Sequence, residues 1–203
     1  GNLEWLGSIG YRHQAVVAAL MRETDIIPLR AFTLFSSEQA LAKYLDDMSS
    51  SLTRKLDRIG GKQEWTLRIE FDPQLWNDAL STRVGSLRDL LAQINESAPG
   101  KAFLLRKKLD DERRRASREG EELIVGEIQD AILKKLRSEI VAETREQREG
   151  AFPQINVLVN RDEEAVLQEL HRDLNDRFRG EGVTLAISGP WPPYTFAGLV
   201  DNA

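Results

Sequence analysis

The sequence predicts an α+β fold, a ferredoxin-like sandwich of helices on a small sheet, with a long helical excursion and an extended aromatic and proline-rich C-terminal arm. Three observations carry this expectation. Residues 64–71 alternate cleanly, with Trp65, Leu67, Ile69 and Phe71 on one side and Glu64, Thr66, Arg68 and Glu70 on the other, as a strand with one wet face does. Residues 152–188 then read strand, helix, strand. Ile155, Val157 and Val159 share one face of 152–160, while Val166, Leu167, Leu170, Leu174 and Phe178 form the apolar side of 162–179, and 183–188 closes the unit. Finally, residues 101–146 contain no proline and are dominated by helix formers, which gives a helix of roughly 70 Å at a rise of about 1.5 Å per residue.

The remaining elements follow in chain order. Residues 1–23 place Leu6, Ile9, His13, Val16, Val17 and Leu20 at helical spacing. Gly1-Asn2, without an initiator Met, reads as a remnant, so an N-terminal part of the natural protein is expected to be missing. Residues 25–35 are β-branched and aromatic, with Pro28 confining them to an edge strand or an extended loop. Ser36, with Gln39 three residues on, is expected to cap a helix to about Ile59 whose buried face is Leu41, Tyr44, Leu45, Met48, Leu52 and Leu56. Gly60-Gly61 ends it. Asp72-Pro73 starts helical pieces at 75–80 and 87–95, which Ser97-Ala-Pro-Gly100 breaks. The long helix has apolar stripes at both ends (Phe103, Leu104, Leu105 and Leu109; Leu123 to Ile140) and a charged middle, so it is expected to protrude, to bend near Gly120 or Gly126, or to pair with another helix.

Composition excludes several classes of function. The 203 residues are 30% charged and 41% hydrophobic with no Cys, which removes disulfides, thiolate metal sites and cysteine nucleophiles and fits a reducing compartment. A net charge of −5 argues against bulk nucleic-acid binding. No run approaches the roughly 18 consecutive apolar residues of a membrane span, so no membrane insertion is expected. His13 and His171 lack a second ligand at metal spacing and read as structural or partner-facing. Gly60-Gly61 and Gly180-Glu-Gly182 match no phosphate-binding pattern. There is no nucleophile elbow, so no catalytic, metal or cofactor residue is assigned. Residues 106–118 carry seven Lys or Arg against three acids, including Arg106, Lys107, Arg113 and Arg114. Without interleaved aromatics they read as an exposed, salt-bridged helix face rather than a nucleic-acid site, with an acidic protein partner left open.

The end of the chain is different. Pro190, Trp191, Pro192, Pro193, Tyr194 and Phe196 put three prolines and three aromatics within nine residues directly after a strand. Prolines stiffen the backbone and hold the rings apart, which lowers the ordering cost of docking them. Two readings stand side by side: an arm folded back over the protein's own sheet, and an anchor for a partner.

Gly189-Pro-Trp-Pro-Pro-Tyr-Thr-Phe196 resembles the C-terminal signature of the gas vesicle protein F and L family. His13 with Val16-Val17, Ile27-Pro28-Leu29-Arg30 with Thr33 and Phe35, Gly61-Lys62 with Glu64-Trp65, and residues 100–109 are similar to segments in the same order in that family. The chain departs from the family at Arg30-Ala31-Phe32-Thr33, where members tend to show Arg-Phe-Gly-Thr, and in lacking a strand-rich region before the first helix. The resemblance implies two parts, an incomplete N-terminal α+β unit over 1–60 and a C-terminal one over 61–203 that carries the long helix 101–146 and the tail 189–203. It also implies a non-enzymatic accessory role in gas vesicle assembly in the cytoplasm, with no cofactor. The implied partners are the small hydrophobic shell protein and other accessory proteins, whose unpaired strand edges need cover before assembly. The rival expectation is a ligand-binding or enzymatic domain with a polar pocket holding His13, Arg30 and Glu64.

Overall fold

A computed structural model describes residues 2–143 and 152–197. The chain runs α1 (Asn2–Leu20), α2 (Glu38–Ile59), β1 (Lys62–Phe71), α3 (Pro73–Arg83), α4 (Gly85–Glu96), α5 (Pro99–Lys135), β2 (Glu139–Glu143), β3 (Gln154–Asn160), α6 (Glu164–Phe178), β4 (Val183–Trp191) and the single turn α7 (Tyr194–Ala197). The four strands form one sheet in the order β2-β3-β1-β4, antiparallel at every neighbour. β3 and β4 therefore run parallel on either side of β1, with α6 crossing between them, which is the split β-α-β arrangement of ferredoxin-like folds.

The alternation in β1 does what its pattern predicts on the core side. Trp65, Leu67 and Ile69 are buried and share one core with Ile155, Val157 and Val159 of β3 and Val183 and Leu185 of β4. Ile124, Ile128 and Ile132 of α5 and Leu167, Leu170, Leu174 and Phe178 of α6 cover that face. Burying each such side chain contributes about 1.5–3 kcal/mol. Asp72 caps α3, its Oδ1 accepting the backbone N–H groups of Gln74 (3.0 Å) and Leu75 (2.9 Å), with Pro73 harmless in the first turn. Arg83 ties α3 to Glu127 of α5 and to Glu181 just before β4.

Several expectations are corrected. The long helix ends at Lys135, and Ile140 belongs to β2 instead, paired with Val157. Leu136 already has strand dihedrals, and β-branched Ile140-Val141 gains more from the ladder than from a solvated helix end. Residues 144–146 lie outside the described residues. The helix shows no break at Gly120. That glycine lets Trp76 and Leu80 approach, since a Cβ there would lie 2.8 and 2.9 Å from their side chains. Of the three fates open to the charged middle, pairing with another helix is the one observed: Ala116 is buried against the α3–α4 side.

Of the two readings of residues 25–35, edge strand and extended loop, the loop is the one observed. Asp25 is drawn off as an acceptor for Gly61 N–H (3.2 Å) and Arg161 (2.7 Å), and Thr33 turns back onto the Arg30 carbonyl. The turn puts Phe32 at φ 67°, the left-handed region that favours glycine. The cap of α2 is Ser37 rather than Ser36, its side chain accepting Ala40 N–H at 3.1 Å. The apolar faces of the first two helices are not closed. In α2 only Ile59 is buried, with Leu45 and Leu56 exposed, and in α1 Val17 is buried while Leu6, Val16 and Leu20 are exposed.

Candidate functional site

The proline-rich tail grows out of β4 rather than leaving it as an arm. β4 runs on through Gly189 and Pro190 to Trp191, whose Cα partner in β1 is Glu64. Gly189, at φ +140°, passes so near β1 that a Cβ would lie 2.8 Å from the Trp65 ring and 3.0 Å from the Glu64 carbonyl oxygen. Pro192 and Pro193 are buried, and α7 turns immediately, with Ala197 N–H bonding to the Pro193 carbonyl at 2.8 Å. The extended arm expected over 189–203 is thus a strand end and a helical turn, and 198–203 lie outside the described residues.

Glu64, expected on a wet face, is 4% exposed and is the anchor of this turn. Its two carboxylate oxygens accept Thr195 N–H (3.0 Å) and Thr195 Oγ1–H (2.7 Å). Burial pushes its carboxyl above the ordinary value, and the Thr195 hydrogen bonds pull the other way. Tyr194 reaches α1, where its hydroxyl lies 3.1 Å from His13 Nε2, and burial pushes its phenol up. Phe196 packs with Ile59 of α2, Leu158 of β3 and Ile27. Arg58 donates to the Phe196 carbonyl at 3.0 Å, stands 5.6 Å from its ring centroid, and pairs with Glu139 of β2 at 2.6 Å. One short turn therefore ties together α1, α2 and three of the four strands.

The structure thus gathers His13, Glu64, Trp65 and the tail. Pro28 is buried in the neighbouring loop. Arg30 is exposed, and among the described residues its hydrogen bonds are those its carbonyl accepts from Thr33, with none to His13 or Glu64, the residues that the rival reading places in one polar pocket with it. Arg106, Lys107, Arg113 and Arg114 stand apart, exposed on α5, which covers the opposite face of the sheet from the tail. His171 is structural. It lies 2.8 Å from the Leu185 carbonyl, and its neighbour Asn175 bonds both the N–H and the C=O of Leu185, closing that stretch of the β4 edge.

Of the tail's large rings only Trp191 remains open, 42% exposed with Nε1–H donating to Ser188 Oγ at 3.1 Å. It stands with Pro190 and Pro192 on one wall of a cleft of about 570 Å³ whose other walls are Gln14 and Ala18 of α1, Met21 and Arg22 of the turn after it, Gln63, and Arg161. Gln63 Oε1 is buried in this wall without a hydrogen-bond partner. A second groove of about 480 Å³, almost wholly apolar, lies between Val17 and Leu20 of α1, the loop Asp25 to Leu29, and Leu45, Leu52 and Leu56 of α2. Gln63, Arg22, Arg58, Arg161 and Thr195 were not legible beforehand. Arg58, Arg161 and Thr195 act across long sequence separation, Gln63 and Arg22 line the cleft, and no local pattern marks either kind of role. Among the described residues no three His, Asp or Glu side chains are grouped to hold a metal, and no helix is long and apolar enough to cross a membrane.

Comparison with known proteins gives this geometry a context. The family model described as gas vesicle synthesis protein GvpL/GvpF matches residues 8–198. Gas vesicle protein L of Streptomyces sp. (strain CB03234) is 26% identical, over 99% of this chain and 73% of its own length. Gas vesicle protein L2 of Halobacterium salinarum is 30% identical, over 84% of this chain and 63% of its own. The chain therefore spans about two thirds of the length of these relatives. The crystal structure of GvpF from Anabaena sp. PCC7120 superposes with a TM-score of 0.73 at 16% identity, over 93% of this chain and 77% of that one. GvpF from Microcystis aeruginosa superposes with a TM-score of 0.66 at 14% identity, over 92% and 76%. These likenesses show the same α+β fold, and with the family match running over nearly the whole sequence, the chain belongs to the GvpL/GvpF family of gas vesicle synthesis proteins.

Proposed function

We propose that this protein is a non-enzymatic accessory factor of gas vesicle assembly that holds extended segments of other gas vesicle proteins, the small shell protein foremost, in the cleft beside Trp191. The family match supports the process, and the observation that carries the mode is the division of labour within the tail. Tyr194, Thr195 and Phe196 are committed to internal contacts, while Trp191 alone presents a large ring at the mouth of a cleft. Indoles at such positions are frequent hot spots because they offer large area at low entropy cost. In this reading residues 1–60 supply one wall and residues 61–203 the other.

Glu64 and His13 are occupied by the tail, so neither is free for acid–base work, which supports a binding role over the enzymatic one. The test is capture of the purified shell protein by the full chain and by Trp191→Ala, whose exposed side chain can be cut back without opening the core. Loss of at least about tenfold in affinity with an unchanged melting curve is expected. Equal capture by both proteins removes the cleft from the mechanism. Retention of buoyant vesicles after deletion of the gene removes the accessory role itself.

A further inference from the structure

The charges of α5 are balanced along most of its length but not at its start. Residues 99–108 hold Lys101, Arg106, Lys107 and Lys108 and no carboxylate, in a chain whose net charge is −5. Among the described residues none of these four is ion-paired, and Lys107 has only the Phe103 ring, 5.2 Å from Nζ to centroid. One turn later the pattern changes: Asp111 holds Arg114 and Glu112 holds Arg115. Ala102, Leu105 and Leu109 lie on the covered side of the helix. At about 100° per residue, Phe103, Leu104 and Lys107 fall on the opposite side. Phe103 and Leu104 are 59% and 62% exposed, two adjacent large apolar side chains ringed by unpaired cations.

The sign pattern selects among classes of anionic partner. Nucleic acid and an anionic membrane present uniform negative charge, and both meet the carboxylates of Asp110, Asp111 and Glu112 immediately beyond the cationic turns. Base stacking also requires more than one aromatic ring. Another polypeptide can match apolar with apolar, acid with base and then base with acid along the same helix. We propose that the outward face of α5 over residues 101–118 docks an amphipathic helix of a partner protein. Its apolar side chains cover Phe103 and Leu104, and its carboxylates meet Lys101, Arg106, Lys107 and Lys108. The proposal deepens the function proposed above and rests on it only for the setting in which the partner is met. The surface is separate from the Trp191 cleft, whose lining includes no residue of α5.

The experiment uses the full chain and two fluorescein-labelled synthetic helical peptides, each with Leu at every third and fourth position; the Glu peptide carries Glu over the half that meets residues 101–108 and Lys over the half that meets residues 110–112, and the Lys peptide carries Lys throughout. Fluorescence anisotropy is expected to show binding of the Glu peptide, weakened about tenfold or more by Phe103→Ala/Leu104→Ala and by Lys107→Glu/Lys108→Glu, and progressively by added salt. All four positions are exposed, and circular dichroism melting verifies that the variants stay folded. Equal binding of the Lys peptide, no loss in either double variant, or stronger binding to vesicles of phosphatidylserine and phosphatidylcholine than to the Glu peptide overturns the proposal. Trp191→Ala is expected to leave peptide binding unchanged. Shell-protein capture that fails while the Glu peptide still binds α5 therefore refutes the cleft and not this surface, and the reverse result refutes this surface alone.

Discussion

The sandwich built on β1 and the two helices that precede it use the same kind of apolar periodicity to different ends. In the sandwich, Leu67, Ile69, Ile128, Ile132, Leu167 and Phe178 are fully buried because two helices and three strands converge on them. In α2 the repeat Leu41, Tyr44, Leu45, Met48, Leu52 and Leu56 is at least as regular, yet Ile59 alone is buried, and that by the tail. Regular spacing makes a helix amphipathic, but only a partner makes its face a core. The connection between the two regions is local: the Phe196 ring packed on Ile59, with a carboxylate, a phenol and a guanidinium gathered around the same turn.

The sharpest way to break this comparison is to cut equivalent side chains on both sides. Leu67→Ala is expected to cost about 2–5 kcal/mol in denaturant unfolding, the usual range for a cavity in a closed core. Leu52→Ala in α2 is expected to cost less than about 1 kcal/mol, because a half-open site refills with water. Equal losses would mean that the N-terminal helices are as closed as the sandwich. Next in size is Gly189→Ala, whose added methyl meets Trp65 and the Glu64 carbonyl. Overpacking of this kind costs about 1–3 kcal/mol, and the chemical shifts of His13 and Tyr194, which meet across the junction, report whether α1 comes loose with it.

The junction itself is probed by pH. The Glu64 carboxyl is raised above its ordinary value of 4.5, mainly by burial, so the folded state holds that proton more tightly than the unfolded chain does. Its contribution is fully present below the unfolded value and is lost as pH rises through the folded one. Glu139 has the opposite sign: Arg58 and Lys62 hold it below the carboxylate range, so its contribution is present above the unfolded value and is lost on acidification. The stability of the wild type relative to Glu64→Gln is therefore expected to grow as pH falls from neutrality towards 4.5, and relative to Glu139→Gln to shrink as pH falls below 4.5. Denaturant melts at several pH values check both slopes, and a common sign would refute the assignment.

The smallest effect sharpens the picture of the loop. Phe32 is about half exposed and sits at φ 67°, so Phe32→Gly loses little packing and relieves a backbone conformation that side chains disfavour. A gain of about 0.5–1 kcal/mol in thermal or denaturant unfolding is expected. A loss would show that the Phe32 ring has a packing role.

Much of the architecture was legible in local pattern. The alternation through Trp65, Leu67 and Ile69, the strand–helix–strand unit from Ile155 to Leu185 and the Asp72-Pro73 cap each reflect a single chain segment obeying its own backbone geometry. The tail was legible as unusual but not in direction, since the same prolines and rings suit an arm and an anchor, and in the structure it is mostly a clasp. The α5 boundary failed because Ile140 and Val141 extend an apolar stripe and a strand equally well until β3 offers a ladder. Glu64 was misread because its place in the alternation says which face it takes, not what covers that face.

The sequence by itself determined the periods, caps and turns, and with them which segments are strands, which are helices and which side chains share a face, because those depend on dihedral preferences within a few residues. Only the tertiary structure decided which of those faces are covered. It brought Thr195 onto Glu64 of the neighbouring strand across 131 positions of sequence, left Trp191 open above its cleft, and left Phe103 and Leu104 in water among unpaired cations. Burial and charge pairing are properties of what chain closure brings near a residue, and neighbours that meet across a hundred positions leave no mark on the local pattern.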